Sequence, residues 1–121
     1  MEEKIEDYQI EVSDDDFEKN VIEQSKKIPI VVDFWAEWCI PCLAFGPVLE
    51  KLAKEYNGRF ILAKLNVNEN VETAQRYSIM SIPNVKLFKN GKIVDGFVGA
   101  LPEQAVREWL DKNITNDKRD L

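Results

Sequence analysis

The stretch IVVDFWAEWCIPC, residues 30–42, holds both cysteines of this 121-residue chain and decides its architecture. The run that leads into it, 28–36, is almost continuously apolar and rich in β-branched and aromatic residues. That pattern suits a strand covered on both faces. Then the character changes. Cys39 falls where the strand gives way to a helix, and Cys42 lies one helical turn further on. Pro41 lacks an N–H and is preset to a helical φ, so it fits a first turn. From Val48 onward the spacing is helical: Val48, Leu49, Leu52, Ala53, Tyr56. Asn57-Gly58 is a C-terminal stop signal, and Pro47 predicts a kink inside the helix.

Outward from this unit the chain keeps alternating. YQIEV (8–12) predicts a short strand. Ser13 is expected to cap a helix, with Asp14, Asp15 and Asp16 in its first turn and Phe17, Val21 and Ile22 on its apolar stripe. RFILAKLNV (59–67) predicts a second buried strand, and Asn68 a cap for a short helix over 69–78. NVKLFKNGKIVDGFVG (84–99) reads as two strands around Asn90-Gly91, a strong hairpin signal. LPEQAVREWLDKN (101–113) reads as an amphipathic helix opened by Pro102. The order βα-βα-βα-ββ-α implies parallel pairing early, antiparallel pairing late, and helices on both faces of one mixed sheet.

Length predicts one domain over 1–121, with 1–7 and the polar 114–121 as flexible extensions. The 16 basic and 22 acidic residues give a net charge of −6, so there is no basic surplus to meet a nucleic acid backbone. The charge balance suits a solvated surface and a monomer. MEEKIEDYQI has no apolar core of a signal peptide, and IPIVV is too short to span a membrane. The expected compartment is the reducing cytoplasm, where a close cysteine pair is more often metal-binding or catalytic than structural.

Four readings of the pair are open: a structural clip, half of a zinc site, a redox pair, or coincidence. Closed zinc sites want four N/S ligands, and this chain has two cysteines and no histidine, so no metal is expected. The missing imidazole also removes Cys-His and serine-triad chemistry. A coincidental pair would act as small buried hydrophobes. The position favours chemistry instead, because the dipole and free N–H groups at a helix start stabilise a thiolate. The ring closed by such close cysteines is small and adds little chain-entropy stabilisation. It is a poor staple and a good reversible switch. Asp33, inside an apolar run, is the candidate proton partner, since burial raises a carboxyl toward the useful range. The alternative is that Asp33 faces a polar edge or pairs with Lys64.

The run VVDFWAEWCIPC with Pro47 resembles the active-site segment of the thioredoxin family. AKLNVNEN, SIPN and LFKNGKIVDGFVGAL extend the likeness over roughly residues 9–112. It implies an α/β thioredoxin fold, a central mixed five-stranded sheet flanked by four helices. It implies a protein-disulfide reductase in which Cys39 is the nucleophile, Cys42 resolves the mixed disulfide, and Asp33 accepts and returns a proton. Lys64 would bias the Asp33 titration. The Ile82–Pro83 bond would be cis, and Trp38, Ile40, Pro41, Ile82, Pro83, Gly99 and Ala100 would form the docking rim. Trp35 would pack beneath the site. No bound cofactor is implied. The partners would be disulfide-containing targets and a thioredoxin reductase or equivalent donor, with NADPH acting only through that reductase.

Four positions depart from the usual family pattern. Ile40 replaces Gly, Leu43 replaces a frequent Lys, Asn84 replaces Thr, and Met80-Ser81 replaces Arg-Gly. Ile40 predicts a stiffer loop and a larger apolar surface beside Cys39. No histidine lies between the cysteines, which favours a reductant. The alternatives are a specialised thioredoxin-like oxidant or isomerase, and a binding subunit whose thiols are incidental.

Overall fold

The computed structural model describes residues 6–114. Five strands form one sheet in the order β1-β3-β2-β4-β5. They are β1 (Gln9–Glu11), β2 (Ile30–Trp35), β3 (Ile61–Asn66), β4 (Asn84–Lys89) and β5 (Lys92–Val98). β1, β3 and β2 run parallel, whereas β4 is antiparallel to β2 and β5 to β4. This is the mixed α/β sheet expected from alternating units closed by a hairpin.

The sheet buries both faces, and β2 shows how. Ile30, Val32 and Phe34 join a core with Phe17, Val21, Ala63, Leu65 and Phe88. Val31 joins the opposite core with Phe45, Leu49, Leu52, Leu62, Val85 and Leu110. Side chains alternate along a strand, so Asp33 and Trp35 share the face of Val31. That face is covered by α1 (Ile40–Glu55) and α3 (Glu103–Ile114). The other face is covered by a first helical segment and by the end of α2 (Val71–Arg76).

Several local expectations change. The first helical segment does not open on a Ser13 cap. A turn over 14–16 precedes a π-helix, Glu18–Glu23, and a 3-10 helix, Gln24–Lys26. The Asp16 carboxylate accepts the Ser13 N–H at 2.7 Å, so the capping runs the other way. Asp14 leaves this segment altogether and reaches the start of α2. Its carboxylate accepts the Thr73 N–H at 2.8 Å, the Thr73 hydroxyl at 2.6 Å and the Glu72 N–H at 3.3 Å. Asn68 is therefore not the cap of α2. It stands in a turn whose N–H groups, on Asn68 and Glu69, are taken by the Asn66 side chain.

α1 begins at Ile40 with Pro41 in its first turn, as expected, and continues through Pro47 to Glu55. The stop at Asn57-Gly58 is as expected: both take positive φ, 52° and 88°. Asn90 and Gly91, φ 55° and 85°, make the hairpin turn between β4 and β5. α3 runs to Ile114, which is buried, so the folded unit reaches one residue into the stretch read as tail. At the other end, Glu6 bridges to Gln9. The remaining expected extensions, 1–5 and 115–121, lie outside the described residues.

Candidate active site

Cys39 is the N-cap of α1, with φ −93° and ψ 103°, and its sulfur accepts the Cys42 N–H at 3.2 Å. The pair is joined as a disulfide with the Cα atoms 5.2 Å apart. An anion on the Cys39 Sγ would meet an aimed N–H and the positive end of a 16-residue helix. Cys42 sits a turn deeper. Both residues are buried, and they pack in a small cluster with Ala36, Trp35, Val67 and Ile82. The Ile82–Pro83 peptide is cis, and the Ile82 carbonyl oxygen lies 3.9 Å from the Cys39 Sγ.

Around this buried pair stands an exposed apolar rim. Trp38 is 66% exposed and Ile40 73%. The Trp38 indole N–H donates to the Asn68 side chain at 3.4 Å, which orients the ring. Pro41 is exposed beside them, and Pro47 is exposed one helical stretch further on. Gly99 donates its N–H to the Pro83 carbonyl at 2.7 Å, tying the loop after β5 to the cis peptide. Its φ of +96° suits glycine, and the space above it is open. Ala100 follows, exposed. Two apolar residues that the predicted rim omitted extend the surface: Met80, 89% exposed, and Leu43, 51%. They were visible only as departures from a family pattern.

Asp33 lies on β2, opposite Lys64 in the β2–β3 register. It is 2% exposed, and its Oδ1 is buried with no hydrogen-bond partner among the described residues. Burial pushes its pKa up from 3.8 to about 6; the Lys64 charge opposes this and the Glu50 charge adds to it. Neither sequence alternative describes the geometry. Asp33 is not at a polar edge, and the Lys64 ammonium pairs with Glu50 at 2.8 Å. Lys64 Nζ also lies 5.3 Å from the Trp35 ring centroid. Glu50 went unnoticed in the sequence. Its one signal was the Gly46/Glu50 spacing, one turn apart on the buried side of α1.

A polar groove of about 350 Å³, lined by Trp35, Glu37, Lys64, Asn66 and Glu69 among others, opens next to this pair. Among the described residues, no group of three or more His, Cys, Asp or Glu is placed to hold a metal ion. None of the described helices is long and apolar enough to cross a membrane.

Comparison with known proteins gives one consistent answer. The family model described as Thioredoxin matches residues 8–112. The chain is 47% identical over 104 residues to thioredoxin 2 of Chlorobaculum tepidum, covering 86% of this chain and 94% of that one. It is 45% identical over 104 residues to the thioredoxin of Chlorobaculum thiosulfatiphilum, with the same coverage. It is 47% identical over 103 residues to the thioredoxin of Acidithiobacillus ferridurans, covering 85% and 94%.

Proposed function

From the premise that this chain belongs to the thioredoxin family and is a thiol-disulfide oxidoreductase that reduces protein disulfides, we propose how its own residues divide the work. Cys39 is the nucleophile. In the reduced protein its thiolate, held by the Cys42 N–H and the α1 dipole, attacks one sulfur of a target disulfide. The target S–S bond breaks, one target thiolate leaves, and a Cys39–target disulfide forms. Asp33, ionised, then takes the proton of the Cys42 thiol, directly or through one water. The Cys42 thiolate attacks the Cys39 Sγ and expels the second target thiolate. The Cys39–Cys42 disulfide closes, and two electrons have passed to the target. The two target thiolates take up protons, one of them the proton that Asp33 holds.

The rim serves recognition. Trp38, Ile40, Pro41 and Ala100 present exposed apolar surface to an extended segment of the target, and Ile82, the buried Pro83 and Gly99 supply the backbone beside it. Trp35 supports the cysteines from beneath, and Pro47 shapes the continuation of α1. Lys64 tunes Asp33. The redox group is the cysteine pair itself, with no bound cofactor and no metal. A thioredoxin reductase or equivalent donor recharges it, and NADPH acts only through that donor. The protein works as a monomer in the reducing cytoplasm, on protein targets rather than on nucleic acid or membrane.

The observation that carries this reading is the placement of Cys39 Sγ at the α1 start, 3.2 Å from the Cys42 N–H, with a buried carboxyl on β2 whose Oδ1 has no partner among the described residues. The test is insulin reduction with dithiothreitol, then with NADPH and a thioredoxin reductase. Turnover under both conditions, lost in Cys39→Ser, is expected. Activity only in oxidative refolding would replace this reading with that of an oxidant or isomerase.

A further inference from the structure

Lys64 stands beside Asp33 across the β2–β3 ladder, on the same face of the sheet. An ammonium on that stem has two carboxylates to choose from. The closer partner is Glu50 Oε2 at 2.8 Å, and the pair is mostly buried on the Lys64 side, 17% exposed. Two further features set the ammonium there. A Cβ added at Gly46 would lie 3.4 Å from Lys64 Nζ, so the bare glycine leaves room against α1. The Trp35 ring lies 5.3 Å from the same nitrogen, a favourable seat for a cation. Meanwhile Asp33 Oδ1 stays buried without a hydrogen-bond partner among the described residues. A buried carboxylate next to an uncommitted lysine would close that ion pair.

We propose that Glu50 is a positioning residue for disulfide exchange: by holding the Lys64 ammonium on the α1 side, it keeps Asp33 out of an ion pair and free to take and return the Cys42 proton. This rests on the proton-partner reading of Asp33 given above. The groups facing Asp33 are few. Among the described residues β3 contributes Lys64, α1 contributes Glu50, and β4 sets the apolar Val85 opposite it. Glu37 shares the polar groove with Lys64 on its outer side. Glu50 thus acts on Asp33 in two ways that share a sign. Its own charge disfavours the Asp33 anion, and its grip on Lys64 keeps the cation that favours that anion from closing on it as an ion pair. A lysine released from Glu50 would lock Asp33 as a carboxylate, holding it ionised at every stage of the cycle.

The test follows the Asp33 carboxyl directly by carbon-detected NMR across pH in the oxidised protein. Glu50→Gln should move its midpoint down by about one pH unit or more, the effect of an opposite charge arriving within reach. Glu50→Asp should restore part of the shift, which a merely structural role would not do. The same Glu50→Gln change made on a Lys64→Met background should move Asp33 by less than half as much. Equal shifts on the two backgrounds would overturn the positioning role, leaving only a direct charge effect. An unmoved midpoint in Glu50→Gln would overturn the inference outright. The proton-partner reading fails separately: it falls if Asp33→Asn leaves the pH profile of insulin reduction unchanged.

Discussion

Two aspartates of this chain, Asp14 and Asp33, show how one side chain serves stability in one place and availability in another. Asp14 lies partly exposed, and its carboxylate collects three donors at the start of α2. Partial burial raises its pKa, but the hydrogen bonds from Thr73 and Glu72 outweigh that, and the net shift is downward. Asp33 is buried on β2 with one oxygen, Oδ1, that has no hydrogen-bond partner among the described residues, and burial holds it at about 6. A carboxylate held by three donors is a clasp between segments. A carboxyl denied its partners costs stability when ionised and stays ready to exchange a proton near neutral pH.

Asp33→Asn gives the sharpest break of that contrast. It should slow insulin reduction near pH 7 by roughly 10- to 100-fold, at or below the low end of general acid–base effects, since a water can take over part of the proton transfer. It should also stabilise the fold. The native pKa of Asp33 lies above its unfolded value of 3.8, so its contribution is complete below about pH 4 and is lost as pH rises through about 6. About two units correspond to roughly 3 kcal/mol, which Asp33→Asn should recover in part at pH 8 and not at pH 4. Denaturant midpoints at the two pH values measure it; equal differences at both would contradict the assignment.

Asp14→Ala should behave in the opposite sense. Losing a helix cap costs about 1 kcal/mol, with insulin reduction unchanged. Its native pKa is depressed, so the stability it gives is present above the unfolded value and lost as pH falls through the folded one. Thermal unfolding of the variant should therefore converge on that of the wild type in acid. Ile40→Gly probes the rim rather than the proton. Removing a side chain that is 73% exposed should leave stability within about 1 kcal/mol but raise KM for insulin by up to about 10-fold, as apolar contact is lost. Smallest of all is Arg107→Ala. Arg107 joins Glu55 on α1 and Glu103 on α3, beside Lys51, in an exposed network. Such pairs contribute about 0–1 kcal/mol, and chemical denaturation should show no more.

The strands and the change from parallel to antiparallel pairing were legible in the sequence because apolar runs and turn residues are local signals. The 28–36 run, Asn57-Gly58 and Asn90-Gly91 each carry their structure in a few letters. What hid were partnerships across the fold. Ser13-Asp14-Asp15-Asp16 reads as one helix start, yet Asp14 serves a helix nearly sixty residues later, because its neighbour in space is Thr73 and not Phe17. Asn68 looked like a cap for the same reason: local spacing cannot show that a distant carboxylate already occupies the post. At the site, Cys39, Cys42 and the buried Asp33 were readable from position and context. Glu50 was not, since only the packing of α1 on β3 brings it to Lys64.

The most direct test of the dithiol cycle separates the two sulfurs. Reduced Cys42→Ser and Cys39→Ser proteins are each mixed with a disulfide-linked peptide, and adducts are followed by mass spectrometry with peptide mapping. Cys42→Ser should accumulate one mixed disulfide, located at Cys39, because the group that resolves it is gone. Cys39→Ser should form adduct far more slowly, since its remaining thiol is 3% exposed and is not the N-cap of α1. Adduct forming at Cys42 as fast as at Cys39 would contradict the division of roles between attacking and resolving cysteine.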